Sequence, residues 1–209
     1  MNQYIRKKIL MRLQKHDPQP ISELNGTSPF EILIATVLSA QSTDVSVNKV
    51  TSRLYPWANT APTLLEFGIE RLKNKIKTLG LYNIKSKNII NICHILLEKH
   101  GGDVPNNMEA LKSLPGVGRK TASVVLNKAF HQPTIAVDRH VFRVCNRSRF
   151  AIGASVREVE KKLLQCVPKI FQMNCHQWFV SHGRYTCLSR KPKCGVCLIE
   201  DLCEFTSKY

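Results

Sequence analysis

A nine-residue run, Leu114-Pro115-Gly116-Val117-Gly118-Arg119-Lys120-Thr121-Ala122, sets the tightest limit on the fold. Two glycines around one apolar residue permit positive φ and close backbone approach. The chain therefore turns sharply between a short helix over Met108 to Ser113 and a longer one from Lys120 to Phe130. A helix that begins straight after such a turn presents unpaired N–H groups at its N-terminus. That arrangement holds a phosphate without reading base sequence. Val117, at the tip, is expected to pack between the two helices or against a sugar. Spacing alone also allows a plain helix–turn–helix corner with glycines used only for tightness. Arg119 and Lys120 beside the turn favour DNA.

The rest of the chain also reads as helical. Ile5, Ile9 and Leu13 recur at helical spacing in a basic stretch free of acids, Met1 to His16. A docking helix explains this better than a transit peptide does, and no secretory apolar region is present. Ser28-Pro29-Phe30-Glu31 combines an N-cap, Pro at the first helical position and a capping-box Glu. Thr43-Asp44 starts a segment reaching about Leu54, Thr60 caps a short helix ended by Gly68, and Gly80 closes the next. A longer helix is expected from about Ile84 to His100, stopped by Gly101-Gly102. Pro133 breaks the pattern, and further helices are expected over His140–Arg149, Val156–Val167 and Cys175–Thr186. Convincing strand alternation and fixed-period repeats are absent, so the fold class is all-α. A domain break near Pro133 is consistent with this pattern.

Thirty-one Lys and Arg stand against fifteen Asp and Glu, a formal charge of +16 in 209 residues. Such an excess implies a polyanionic partner, nucleic acid or an acidic membrane surface. No apolar run is long enough to span a bilayer. Absent targeting signals, a cytoplasmic location follows, with nucleoid association if the source is bacterial. Of eight cysteines, Cys93, Cys145, Cys166 and Cys175 are scattered and read as small buried apolar residues. Cys187, Cys194, Cys197 and Cys203 crowd together, and in a reducing compartment metal binding outranks disulfides for them. Four thiolates suit a structural zinc or an iron–sulfur cluster, and spacing does not choose. Arg184, Arg190, Lys191 and Lys193 around them would make a second phosphate contact.

Lys120 has two readings, a phosphate contact or a nucleophile. Positive potential from the helix N-terminus and from Arg119 disfavours the protonated amine, and a deprotonated lysine can attack carbon and form a Schiff base. That role needs a nearby carboxylate. The best candidate is Asp138, at the end of the apolar lead-in Ile135-Ala136-Val137. A plain N-cap explains it too, and capping would fix the direction of the carboxylate.

Taken together, the glycine hairpin with Lys120, the Ala136-Val137-Asp138 triplet and the Cys-x6-Cys-x2-Cys-x5-Cys ending resemble the endonuclease III family of DNA glycosylases over essentially the whole chain. The resemblance implies two helical domains: a central one over residues 22–132, with a helix-hairpin-helix at about 108–127, and a second one from 1–21 plus 133–209. The second would carry a [4Fe-4S] cluster on the four crowded cysteines. It implies a bifunctional glycosylase and abasic-site lyase acting as a monomer on duplex DNA with oxidised pyrimidines or abasic sites, and no membrane partner. Lys120 would attack C1′ and release the base, and β-elimination would then nick the strand 3′ to the lesion. Asp138 would activate the amine or stabilise charge on the sugar. The base must leave the stack to be reached. By the same resemblance Gln41 and Leu81 fill the gap it leaves, Ser39 and Asp44 lie near the lesion pocket, and Gly116, Val117, Gly118, Arg119 and Lys191 touch DNA.

Arg139 departs from the pattern, standing beside Asp138 where the family usually has Thr. A mismatch adenine glycosylase shares the cluster, but lacks the hairpin lysine and carries a further C-terminal domain. This chain has Lys120 and ends six residues after Cys203. A non-catalytic helix-hairpin-helix module explains charge, hairpin and cysteines, yet leaves the Lys120–Asp138 pair without a purpose.

Overall fold

A computed structural model of the chain describes residues 1–20 and 23–207. Among these residues all regular structure is helical. The chain divides into two compact units, Met1–Ile21 with Pro133–Tyr209, and Ser22–Gln132. The expected boundary between residues 21 and 22 lies outside the described residues.

The basic N-terminal stretch is helix α1 (Gln3–His16), capped by Asn2 and docked by Ile9, Leu10 and Leu13. The central unit is built on α2 (Pro29–Leu38), where every residue from Phe30 to Leu38 is buried. A helix apolar on all sides must be enclosed, and α3 (Asp44–Leu54), α6 (Tyr82–His100) and α8 (Arg119–Phe130) pack on it. Between them run α4 (Ala61–Phe67), α5 (Ile69–Ile76) and, before the hairpin, α7 (Met108–Lys112). The cap of α2 differs from the expected box. Ser28 accepts from Glu31 N–H at 3.2 Å. The buried Glu31 carboxylate turns one residue further back, accepting from both Thr27 N–H and Thr27 Oγ1 at 2.8 Å. Two donors on Thr27 satisfy the buried charge better than the single N–H of Ser28.

Other boundaries also shift. α5 stops at Ile76 rather than at Gly80, and α6 starts at Tyr82 rather than Ile84. α7 ends at Lys112 with Ser113 as its cap, and α8 begins at Arg119.

In the other unit α1 packs with α9 (Arg139–Arg147), α10 (Val156–Cys166) and α11 (Lys169–Tyr185) around Val141, Val144, Leu163, Phe171 and Phe179. α11 begins six residues before the expected Cys175, after Pro168, a residue that offers no side-chain cap. Cys93, Cys145 and Cys175 are buried as expected, whereas Cys166 is half-buried. Burial raises the Cys93 thiol to about 12 and pushes Cys145 and Cys175 well up. No helix among the described residues is long and apolar enough to cross a membrane.

α9 and α11 approach closely at Gly183. A Cβ there would lie 2.9 Å from His140 Cβ and 3.2 Å from Val144 Cγ2. Gly183→Ala must push the two helices apart, at a cost of about 1–3 kcal/mol. Thermal unfolding of the variant should show a lowered midpoint; an unchanged midpoint would mean that the contact is slack.

Candidate functional site

The hairpin between α7 and α8 is closed by Val117 N–H donating to Leu114 O at 3.1 Å. Gly116, third in this turn, has φ +75°, the conformation that a type II turn reserves for glycine. Gly118 is different. Its φ is −84°, and nothing lies within 4 Å of a Cβ placed there. Its contribution is openness, because as the N-cap of α8 it has no side chain to fill the first turn, and no acid stands in that turn. Arg119 and Lys120, the first two residues of α8, are exposed there. The N-terminus of α8 is thus open, with no side chain capping its N–H groups. Val117 is a correction. Its side chain is 5 % exposed and belongs to the core of the central unit. Of its two expected placements, the packed one holds, and the sugar contact is withdrawn.

Two further turns of this unit carry strained backbone. Gln41 (φ +53°) and Leu81 (φ +59°) are non-glycine residues in the left-handed region, and both are exposed. Such conformations cost of order 1–3 kcal/mol and concentrate at functional sites. The turns are neighbours, since a Cβ on Gly80 would lie 3.4 Å from Gln41 O. Ser39 is tied down as the C-cap of α2, its Oγ donating to Thr36 O at 2.7 Å. Asp44 opens α3 half-buried, and its charge counters the downward push of burial on Lys128.

In the other unit Ile135, Ala136 and Val137 run buried into Asp138, the N-cap of α9. Asp138 Oδ1 accepts from His140 N–H at 2.8 Å and Val141 N–H at 2.9 Å, which fixes the plane of the carboxylate. Arg139 is exposed, its Nε 3.4 Å from His140 Nε2. Burial lowers His140, and Arg143, Arg139 and Arg184 lower it further, against the opposing pull of Asp138.

The four crowded cysteines follow α11 in a loop with two single-turn 3-10 helices, Cys194–Val196 and Glu200–Leu202. All four are half-buried, none is in a disulfide, and all line one cavity with Arg147, His182 and Phe205. Burial raises the Cys197 thiol, and Cys203, Cys187 and Cys194 raise it further, so the sulfurs lie within one another's field. Four such groups ionise together only around a cationic centre. Among the described residues no three His, Cys, Asp or Glu side chains converge on a position for one metal ion. Four free cysteines on one cavity supply the sulfur ligands that either a zinc ion or an iron–sulfur cluster takes.

The sequence profile of the HhH-GPD superfamily base excision DNA repair proteins matches residues 34–169, and that of the iron-sulfur binding domain of endonuclease III matches 187–203. The chain is 61 % identical to endonuclease III of Escherichia coli K12, over 100 % of this chain and 99 % of that one. The chain belongs to the endonuclease III family. Endonuclease III of Haemophilus influenzae is 57 % identical, again over 100 % and 99 % of the two chains. A solved structure described as a trapped endonuclease III–DNA covalent intermediate aligns with TM-score 0.91 and 41 % identity, covering 98 % of this chain and 96 % of the other. The cofactor of this endonuclease III family member is a [4Fe-4S] cluster; the structural-zinc alternative falls away.

Around the cluster cysteines stand residues that sequence inspection misses. Arg147 Nη1 is 3.5 Å from Cys187 Sγ and donates to Leu188 O at 2.6 Å, while Nη2 donates to Ser189 O at 3.1 Å. Arg143 donates to Cys187 O at 3.0 Å and to Gly183 O at 2.7 Å. His182 Nε2 lies 3.6 Å from Cys197 Sγ, and burial with nearby His16 pushes its ring down to about 4, leaving it neutral. Arg12 pairs with Asp201 and donates to Leu198 O at 3.0 Å. The one sequence signal was a pair of arginines one turn apart, Arg143 and Arg147, on the buried-side ridge of α9. Of the basic residues around the cysteines, Arg190, Lys191 and Lys193 are exposed, with Lys191 at φ +49°, whereas Arg184 is half-buried.

Arg147→Met keeps the length of the side chain and removes its grip on the loop, losing about 1–3 kcal/mol of charge-assisted hydrogen bonding. Visible absorbance should bleach several-fold faster than in the unaltered protein when a chelator and an oxidant are added. Equal bleaching rates would show that Arg147 does not hold the loop.

Proposed function

We propose that the chain excises oxidised pyrimidines from duplex DNA and nicks the strand 3′ to the resulting abasic site, with Lys120 as nucleophile and Asp138 as its carboxylate partner. A base excision repair glycosylase and lyase is the activity of its family. One observation carries the assignment: near full-length likeness to an endonuclease III caught covalently on DNA, in a chain with an amine on the second residue of an open helix N-terminus. The competing non-catalytic module and mismatch adenine glycosylase have no such support.

The chemistry follows from these groups. The Lys120 amine attacks C1′ of a nucleotide turned out of the stack, and the base departs with its bonding electrons and a proton. Opening of the sugar gives an imine, which acidifies the C2′ hydrogen. Loss of that proton expels the 3′ phosphate, and water then frees the lysine. Asp138, held in one plane by two backbone N–H groups, takes the proton from the amine or steadies positive charge on the sugar. The open N-terminus of α8, with Gly116, Gly118 and Arg119, receives a phosphate. Gln41 and Leu81 enter the gap left by the base, and Ser39 and Asp44 border the lesion pocket. Cys187, Cys194, Cys197 and Cys203 ligate the cluster, which supplies a structural staple; Lys191 on that loop adds a phosphate contact.

The central unit, with its helix-hairpin-helix, and the unit joining both chain ends act as the two domains of a monomer. The site of action is the cytoplasm, on nucleoid DNA in a bacterium. Arg139, exposed beside Asp138, is one more cation available for a phosphate contact.

Borohydride added to the protein on duplex DNA with thymine glycol or an abasic site should give a covalent adduct. Lys120→Ala should abolish it, and Asp138→Asn should slow its formation by about 10²–10⁴-fold. An undiminished adduct in Lys120→Ala sinks the assignment. Lys191→Ala should reduce the slope of log K against log salt by about 1, measured by titration at several salt concentrations; an unaltered slope removes Lys191 from the interface.

A further inference from the structure

Lys85 is 4 % exposed, on the first turn of α6, inside the central unit. Its Nζ donates to Ser42 Oγ at 2.9 Å, and among the described residues no carboxylate lies within ion-pair distance of it. Burial presses its pKa down. An enclosed ammonium with one hydroxyl partner is destabilising, and an apolar side chain of that length would pack at lower cost. Buried polar groups of this kind are best attested where they fix register between elements.

The register in question is that of two strained turns. Lys85 N–H donates to Leu81 O at 3.0 Å, so its backbone anchors one turn. Its side chain anchors the other through Ser42, next to Gln41, and Ser42 N–H in turn donates to Ser39 O at 3.1 Å. One helical turn further on, Asn88 packs against the hairpin; a Cβ on Gly116 would lie 2.6 Å from Asn88 Nδ2. The first two turns of α6 therefore touch the Gln41, Leu81 and Gly116 turns.

We propose that Lys85 is a positioning residue, setting the spacing between the Gln41 and Leu81 turns so that both side chains enter the duplex together. This rests on the reading above that those two residues fill the vacated stack. A hydroxyl bond to a cation resists sliding of the turns where apolar packing would permit it. Displacement by about an ångström is enough to cost a hundredfold in a site that depends on alignment.

The test compares Lys85→Met, Ser42→Ala and Lys85→Arg with Gln41→Ala and Leu81→Ala, all as cluster-loaded protein. One readout is the fluorescence of 2-aminopurine opposite an abasic site, which rises when the opposing base is unstacked. The other is the ratio of lyase rates on abasic sites in duplex and in single-stranded DNA. Lys85→Met and Ser42→Ala should each lower the ratio about tenfold or more and suppress the fluorescence rise. Lys85→Arg should restore part of both. A merely structural lysine would change the melting temperature and leave the ratio alone. Should Lys85→Met fail to fold, Ser42→Ala carries the test. If Leu81→Ala and Gln41→Ala lose the signal while Lys85→Met and Ser42→Ala keep it, the positioning role is wrong and the wedge reading stands. If Leu81→Ala and Gln41→Ala also keep it, the wedge reading itself fails, and Lys85 has nothing to position.

Discussion

The first turn of every helix carries N–H groups that its own backbone cannot satisfy, and the placement of functional groups in this chain follows from how each set is dealt with. Most starts are closed by a side chain: Asn2, Ser28, Thr43, Thr60, Asn107, Asp138 and Ser155 each accept from the turn they precede. α8 is preceded by Gly118 and α6 by Leu81, and neither residue supplies a cap. At α8 the vacancy lies beside the exposed Arg119 and Lys120. At α9 the reverse choice orients a carboxylate, because Asp138 satisfies two N–H groups and is thereby held in one plane. If Asp138 acts as proposed, capping and catalysis draw on the same hydrogen bonds there.

The same distinction explains which boundaries can be read in the sequence. α2, α3, α4 and α10 begin where a Ser or Thr announces them. The starts of α6 and α11 are misplaced, the first by two residues and the second by six, and both lack a side-chain cap. A left-handed leucine before a helix has no compositional signature, since its conformation is imposed by surrounding structure. Gly80 misleads in the opposite sense: it reads as a stop for α5 but serves the approach of the Gln41 turn.

The candidate site divides in the same way between local and distant information. Lys120, Asp138 and the four cysteines sit in short motifs whose spacing carries meaning. Arg143, Arg147, His182 and Lys85 act on partners 44, 40, 15 and 43 residues away, so no window along the chain brings cause and effect together. Val117 illustrates the limit from the other side. The motif places it at the tip, and only packing decides that it turns inward to the core.

The terminal unit owes its organisation to the cluster loop more than to surface ion pairs. Arg12–Asp201 joins two exposed partners, and the N-terminal ammonium meets an exposed Glu204; such exposed pairs contribute at most about 1 kcal/mol each. Arg143 and Arg147 instead donate to carbonyls of Gly183, Cys187, Leu188 and Ser189. Those carbonyls are gathered only while the loop is folded, and the mutual repulsion of four thiolates opposes that folding unless a cationic centre offsets it. One nine-residue helix, α9, then has Asp138 at its N-terminus and the two loop-gripping arginines at its middle and its end. The staple that closes the loop therefore also fixes the helix whose first turn orients the Asp138 carboxylate.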